Sequence, residues 1–133
     1  MLATLGSALS GVIAVAITLM GARYLLDPRP AAAGFGIPGE LGDSPQGADW
    51  LAVKATRDIA IAIIIAVLLI NGAPRLLGSL MLAIALIPIA DGTIVLHSGG
   101  PQAIAFGVHW ATAAIMLIVA ARSLREPPNL PRQ

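Results

Sequence analysis

Seven residues that can carry charge lie within, or at the edges of, long apolar segments of this sequence. They are Arg23, Lys54, Arg57, Asp58, Asp91, His97 and His109. An ionisable group inside a membrane segment is costly unless it faces the protein interior and finds a partner, so such groups usually mark a functional site. Carboxylates, imidazoles and cations together supply an acid, a base and a stabiliser of negative charge, which suffices for proton-transfer chemistry.

The spacing in the second apolar segment indicates how some of these residues are arranged. Lys54, Arg57 and Asp58 are related as i, i+3 and i+4, so on a helix we expect all three to project from one inward face. Asp58 is expected to pair with Lys54 along that helix. Because Asp58 stands beside two cations, we predict that it is the ionised base and that Asp91 is the acid.

The third and fourth apolar segments add two features to this arrangement. Pro88 lies one turn before Asp91 and has no N–H to donate, so the third helix is expected to bend or loosen there and to leave carbonyl acceptors near Asp91. In the fourth segment His109 and Thr112 share a small, mildly polar face, which favours a pocket wall. Trp110 is expected to point away from that pocket, toward lipid.

The composition indicates the environment of this chemistry. The chain has 57% hydrophobic and 11% charged residues and a mean hydropathy of +0.86, whereas soluble proteins average about 25% charged residues. We therefore predict a membrane protein whose partner is membrane lipid. The net charge of +1 offers no footprint for nucleic acid. The absence of cysteine excludes disulfides, thiolate metal sites and cysteine nucleophiles.

Four apolar stretches approach the roughly 20 residues that a helix needs to cross hydrocarbon. They cover about residues 2–26, 50–70, 76–96 and 104–121. The links at 71–74 and 97–101 are short and rich in Gly and Pro, so they force antiparallel hairpins. The sequence therefore predicts an all-α fold, an integral membrane up-down four-helix bundle that forms a single domain over residues 1–133, with both termini on one side.

The segments outside these stretches indicate a lid, a tail and an orientation. Residues 27–49 are rich in Gly and Pro, and we expect a lid-like loop that brings Phe35 or Ile37 onto the bundle. Residues 122–133 are expected to form an extended tail. Arginines are more frequent on the side of the termini, so positive-inside counting predicts a multi-pass protein of the cell membrane with cytoplasmic termini. A cleaved signal peptide is disfavoured, because no Lys or Arg precedes the first apolar run.

This connectivity brings all seven ionisable residues to the lid side of the bundle. We predict that Asp58, Asp91 and His109 are catalytic, with His109 as proton shuttle. The residues expected to bind substrate are Arg23, Lys54, Arg57, His97 and Phe35. A metal site built from the histidines and aspartates is disfavoured, because the neighbouring cations would repel a metal ion, and the proposed chemistry needs no cofactor.

The ordered set of motifs resembles a known family. The motifs are Gly21-Ala22-Arg23, Gly34-Phe35-Gly36-Ile37-Pro38, Lys54-x-x-Arg57-Asp58, Pro88-x-x-Asp91, His97-x-Gly99-Gly100 and His109. Together they resemble the small four-helix integral membrane proteins of a domain-of-unknown-function family found in bacteria and fungi. A looser similarity to DoxX-type four-helix proteins rests on architecture alone. The resemblance implies the topology and the site residues, and it supplies no reaction.

Three functions remain open at this point. The first is a membrane-embedded enzyme that uses acid–base chemistry for isomerisation, cyclisation or epoxide opening of a lipophilic small molecule. The second is a module that binds or transports a small ligand, with assembly into a homo-oligomer left open. The third is a structural membrane subunit whose buried ion network only sets the register of the helices.

Overall fold

The computed structural model describes residues 2–39 and 44–126, with side chains from residue 6 onward. Every regular element in this part of the chain is helical, which confirms the all-α prediction. The helices are α1 (Leu2–Leu26), α2 (Pro28–Phe35), α3 (Pro45–Ile70), α4 (Pro74–Ile84), α5 (Leu86–His97), α6 (Gln102–Ile104), a π-helical segment (Ala105–Trp110) and α7 (Ala111–Leu124).

Three helical stretches of the described chain are long and apolar enough to cross a membrane. They are Gly6–Leu26, Pro74–His97 and Gln102–Leu124. The helix α3 is not among them, because it carries Lys54, Arg57 and Asp58 within its length, yet Ile63, Ile64 and Val67 of its second half are exposed. Apolar helices that leave large hydrophobic side chains uncovered are typical of a membrane protein, since soluble proteins rarely expose such continuous surfaces.

The helices pack in two sets. In one set α1 lies against α3, and in the other α4 lies against α7 and α5 against the π-helical segment. Small residues permit the close approach: a Cβ on Gly21 of α1 would lie 3.1 Å from the carbonyl oxygen of Ala55, and one on Gly78 of α4 would lie 3.0 Å from the backbone nitrogen of Leu124. Close backbone contact at glycine is the usual means of helix association in lipid.

The core is divided between the two ends of the molecule. The larger cluster includes the fully buried Ile65, Met81 and Val119 and joins both sets of helices. The smaller cluster contains Tyr24, Ala31, Leu51 and Ala55 and joins α1, α2 and α3.

The turns between the helices show which ends lie together. Gly72 and Gly99 adopt positive φ values of 59° and 74°, and the backbone N–H groups that follow them bond back to carbonyls of the preceding helix, as in Schellman caps. At the end that holds the turn between α3 and α4, Arg75 Nε donates to the carbonyl of Glu126 at 3.1 Å. Gly6 lies near Ser123 at the same end.

The predicted lid and tail differ from the structure. Residues 28–35 form α2 instead of turns, and α3 begins at Pro45, where the Oγ of Ser44 accepts a hydrogen bond from the N–H of Gly47 at 3.0 Å. Both helices begin with proline, which is favoured in a first turn because its fixed φ is helical and its missing N–H is not needed there. The predicted tail begins later, because α7 continues to Leu124. Residues 40–43 of the predicted loop and 127–133 of the predicted tail lie outside the described residues.

The third apolar stretch is interrupted, as its proline predicts. The helix α4 ends at Ile84 and α5 begins at Leu86. In a continuous helix the carbonyl of Ile84 would accept from residue 88, which is Pro88 and has no N–H. The carbonyl that loses its helical donor therefore lies about two turns from Asp91, further away than expected.

Candidate functional site

A cavity of about 130 Å³ lies between the two sets of helices, and we call it the inner cavity. Its polar lining residues are Lys54, Asp58, Asp91, His109 and Thr112. The other walls are apolar and include Ile17, Ile61, Ile84, Met116 and the ring of Phe35. The structure thus brings five of the eight predicted site residues, Phe35 among them, to one cavity. Apolar walls with a few convergent polar groups are typical of small-molecule sites.

Lys54 and Asp58 form an ion pair in the wall of the inner cavity. Lys54 Nζ lies 3.0 Å from Asp58 Oδ2. The same ammonium lies 5.5 Å from the ring centroid of Tyr24 and 5.4 Å from that of Phe35, within the range of cation–π attraction. The α3 cation is therefore held by α1 and α2 as well as by its own carboxylate partner.

Asp91 differs from Asp58 in its partners. No described residue donates a hydrogen bond to its carboxyl group or forms an ion pair with it, although it lines the inner cavity and is half-buried. The ionisable groups near enough to act on it electrostatically are Lys54, His109, Asp58 and Arg57. The carboxyl oxygens of Asp91 are thus available to a molecule in the cavity.

His109 lies in the π-helical segment and is buried. Its Nε2 atom lies 2.9 Å from the carbonyl oxygen of Phe35. Because a carbonyl can only accept, Nε2 carries the proton and donates it. The two rings also meet edge to face, with centroids 4.7 Å apart. His109 therefore fixes the end of α2 beside the cavity, and π-helical turns of this kind recur at functional sites.

Two predicted substrate-binding residues lie elsewhere. Arg57 is exposed and is not part of the inner cavity lining, which corrects the expectation that it shares the inward face with Lys54 and Asp58. A helix turns about 100° per residue, so Arg57 and Asp58 fall on opposite sides of the direction of Lys54. His97 is exposed at the end of α5 and lines neither this cavity nor the one described next.

A second cavity of about 80 Å³ lies between α1, α2 and the π-helical segment, and we call it the outer cavity. It contains Arg23, so this predicted residue lies next to the inner site instead of within it. The outer cavity also contains Tyr24, which is 3% exposed and which sequence reasoning missed. A tyrosine near a helix end reads as an interfacial anchor, and only its position beside Arg23 pointed to the site.

Trp110 is half-buried and does not simply face lipid as expected. Its Nε1 donates to the carbonyl of Ile89 at 3.2 Å, and its ring occupies the space that a Cβ on Gly92 would need. It therefore clamps the π-helical segment to α5, the helix that carries Asp91.

The side chains that could bind a metal ion do not form a metal site in the described part of the chain. Within residues 2–39 and 44–126, no three His, Asp or Glu side chains come together in a group able to hold a metal ion. The Lys54 ammonium is also paired with the Oδ2 atom of Asp58.

The helices and the cavity define an all-α membrane protein with a polar site inside apolar walls. The chain belongs to the family described as Domain of unknown function (DUF4267), whose model matches residues 14–122. This span includes every predicted site residue and confirms that part of the resemblance drawn from the motifs. No curated protein and no solved structure matches the chain.

Proposed function

We propose that the chain is an up-down four-helix bundle that crosses the cell membrane several times, with both termini in the cytoplasm. In this arrangement α3 is the fourth spanning helix, and the Lys54–Asp58 ion pair of its first half lies in the wall of the inner cavity. The support is the shared position of Gly6, Arg75 and Glu126 at one end and the arginines that cluster there. The bacterial and fungal distribution and the likeness to DoxX-type proteins belong to the same proposal.

We propose further that the protein is an enzyme that performs acid–base chemistry on a lipophilic small molecule in the inner cavity. The observation that carries this proposal is the contrast between two aspartates in one cavity. Asp58 is paired with Lys54 at 3.0 Å, whereas Asp91 has no hydrogen-bonding partner among the described residues. Two like groups in unlike surroundings are the usual basis for dividing the acid and base roles.

The roles follow from these surroundings. The carboxylate of Asp58, stabilised by Lys54, removes a proton from the ligand, and Asp91 delivers one to another ligand atom. The atoms of the ligand are then conserved, as in an isomerisation or a cyclisation, and with a water molecule the same pair opens an epoxide. His109 holds its Nε2 proton on Phe35, which leaves Nδ1 to relay a proton between the carboxyl groups.

Binding or transport of a small ligand is the second candidate function. The same cavity would hold the ligand without reaction. Transport through one protomer is disfavoured, because the described residues 59–70 of α3 and 76–87 of α4 and α5 include no ionisable side chain, so no polar path leads from the cavity to the opposite end. A purely structural role for the polar cluster is the third candidate.

The experiment compares Asp91→Asn with wild-type protein in lipid nanodiscs. Each is incubated with a lipid extract of the producing cells, and the lipophilic fraction is compared by mass spectrometry. Asp49→Asn is the matched control with the same loss of charge. Asp49 is exposed near the start of α3 and lines neither cavity.

We expect one isomeric or hydrated product that forms with wild type and Asp49→Asn and is lost with Asp91→Asn while the melting temperature is unchanged. A ligand that co-purifies without conversion would favour the binding module. A large fall in melting temperature for Asp91→Asn, with no change in ligand content, would favour the structural role.

A further inference from the structure

The inner and outer cavities adjoin each other at the contact between Phe35 and His109. Both residues line both cavities, as do Met20 of α1 and Val108 of the π-helical segment. The edge-to-face ring pair and the hydrogen bond from His109 to the Phe35 carbonyl stand at this boundary. A ligand longer than either cavity can therefore extend from one to the other beside the ring pair.

The two cavities differ in charge. In the inner cavity the Lys54 ammonium is neutralised by Asp58. In the outer cavity Arg23 is the one charged side chain of the lining, and within the described ranges no carboxylate forms an ion pair with it. A guanidinium binds carboxylate and phosphate groups through two parallel hydrogen bonds. The outer cavity is thus suited to an anionic group, and the inner cavity to an apolar body.

The shared edge of the cavities reaches the apolar surface. Met20 and Val108 are 44% and 38% exposed, and Ile87, which lines the inner cavity, is 40% exposed. Met20 belongs to α1, which packs on α3, whereas Val108 and Ile87 belong to the pair formed by the π-helical segment and α5. The opening therefore lies between the two sets of helices and faces the hydrocarbon that would surround them.

The depth of the groups matches an oriented amphiphile. Arg23 is one turn from the end of α1, near the membrane interface. Ile17 lies about two turns deeper along the same helix, in the wall of the inner cavity. A lipid in the surrounding leaflet has its head group at the depth of Arg23 and its alkyl chain at the depth of Ile17.

We propose that the ligand is a single-chain amphiphile with an anionic head group, which enters sideways between Met20 and Val108 and places its head on Arg23 and its chain in the inner cavity. The inference rests on the proposed function, because it names the class of molecule on which Asp91 acts. The shared chemistry is an anionic group on one alkyl chain, and a fatty acid and an alkyl phosphate are its two sources.

The test is photolabelling in phosphatidylcholine nanodiscs with three probes that carry a diazirine near the chain end: dodecanoic acid, dodecyl phosphate and dodecanol. Labelled residues are located by peptide mass spectrometry, and unlabelled dodecanoate or dodecyl phosphate is added as competitor. We expect saturable labelling of peptides that contain Ile17 or Met116, about tenfold stronger for an anionic probe than for dodecanol, as one charge-assisted contact predicts. The preferred anionic probe identifies the head group.

Arg23→Gln tests the assigned residue, and Arg57→Gln is its matched control, with the same loss of charge outside both cavities. We expect Arg23→Gln to reduce anionic labelling to the dodecanol level and Arg57→Gln to leave it unchanged. Should Arg23→Gln fail to fold, the comparison of the three probes on wild type still decides whether the site prefers an anionic head group.

Equal saturable labelling by all three probes, unaffected by Arg23→Gln, would overturn the anionic head group and leave the lipophilic ligand of the proposed function standing. Absence of saturable labelling in the inner cavity by any probe would overturn the single-chain amphiphile, and the comparison of Asp91→Asn with wild type on a lipid extract would then decide the proposed function separately.

Discussion

Lys54 and Asp58 form an ion pair one helical turn apart, with 3.0 Å between Nζ and Oδ2, in the wall of an otherwise apolar cavity. Their side chains are 22% and 13% exposed. Because the Lys54 ammonium also faces the rings of Tyr24 and Phe35, the pair connects α3 to α1 and α2. Removal of one partner would leave the other as an unpaired charge in low-dielectric surroundings.

We therefore predict that Asp58→Asn lowers the free energy of unfolding by about 2 kcal/mol, less than for a fully buried pair because both side chains keep some exposure. Asp91→Asn, which breaks no ion pair of the described structure, should change it by less than about 0.5 kcal/mol. Unfolding by sodium dodecyl sulfate in mixed micelles measures both. The double variant Lys54→Met with Asp58→Asn should recover part of the loss, and an undiminished loss in the double variant would show that the charge pair is not its cause.

A second prediction concerns the contact between Gly92 and Trp110. A Cβ at Gly92 would overlap the Trp110 ring, and the ring cannot move freely because its Nε1 bonds the carbonyl of Ile89. Gly92→Ala should therefore lower the melting temperature, despite the higher helix propensity of alanine. Gly11→Ala is the control, since nothing lies within 4 Å of the added Cβ, and it should be neutral or stabilising. A stabilising Gly92→Ala would show that the packing of these two helices differs from the one described.

Some of this architecture follows from the sequence and some does not. The C-terminal end of α1 and the turns at Gly72 and Gly99 are predictable, because Gly and Pro interrupt long apolar runs and Gly adopts positive φ without steric cost. The Gly and Pro content of residues 27–49 predicts a loop where α2 forms, because composition alone does not show that Pro28 stands in the first turn of a helix, where proline is favoured.

The site shows the same division. The gathering of Lys54, Asp58, Asp91 and His109 follows from connectivity and helical spacing alone. The rotation that exposes Arg57 depends on how α3 packs against α1, which residue spacing leaves open. The hydrogen bond from His109 to the carbonyl of Phe35 uses a backbone acceptor. Because every residue has such an acceptor, the sequence does not predict which one His109 binds. A π-helical turn likewise has no pattern in the sequence.

The third prediction tests that bond. His109→Ala removes the donor to the Phe35 carbonyl and the ring contact, so the end of α2 should open more often. Hydrogen exchange of the α2 backbone amides measures this directly, and we expect a faster rate, about tenfold for the loss of one net hydrogen bond and its packing. His109→Gln keeps a side-chain N–H and should recover part of the protection. The control is Thr112→Ala, whose hydroxyl donates to the carbonyl of Val108 one turn earlier, in the π-helical segment, and not to α2. Unchanged exchange in His109→Ala would mean that α2 is held by its apolar contacts alone.

The last prediction concerns topology, and it uses the absence of cysteine from the chain. Single cysteines at Asn71 and at Ser98 stand in exposed turns at the two ends of the apolar stretch Pro74–His97. Because that stretch is long enough to cross hydrocarbon, a membrane-impermeant maleimide added to intact cells should label Ser98→Cys and spare Asn71→Cys until the membrane is opened. Labelling of Asn71→Cys alone would reverse the orientation and place the arginine-rich end outside. Labelling of both from the same side would show that the stretch does not span the membrane, and the multi-pass arrangement, with the sideways entry of ligand that depends on it, would fall.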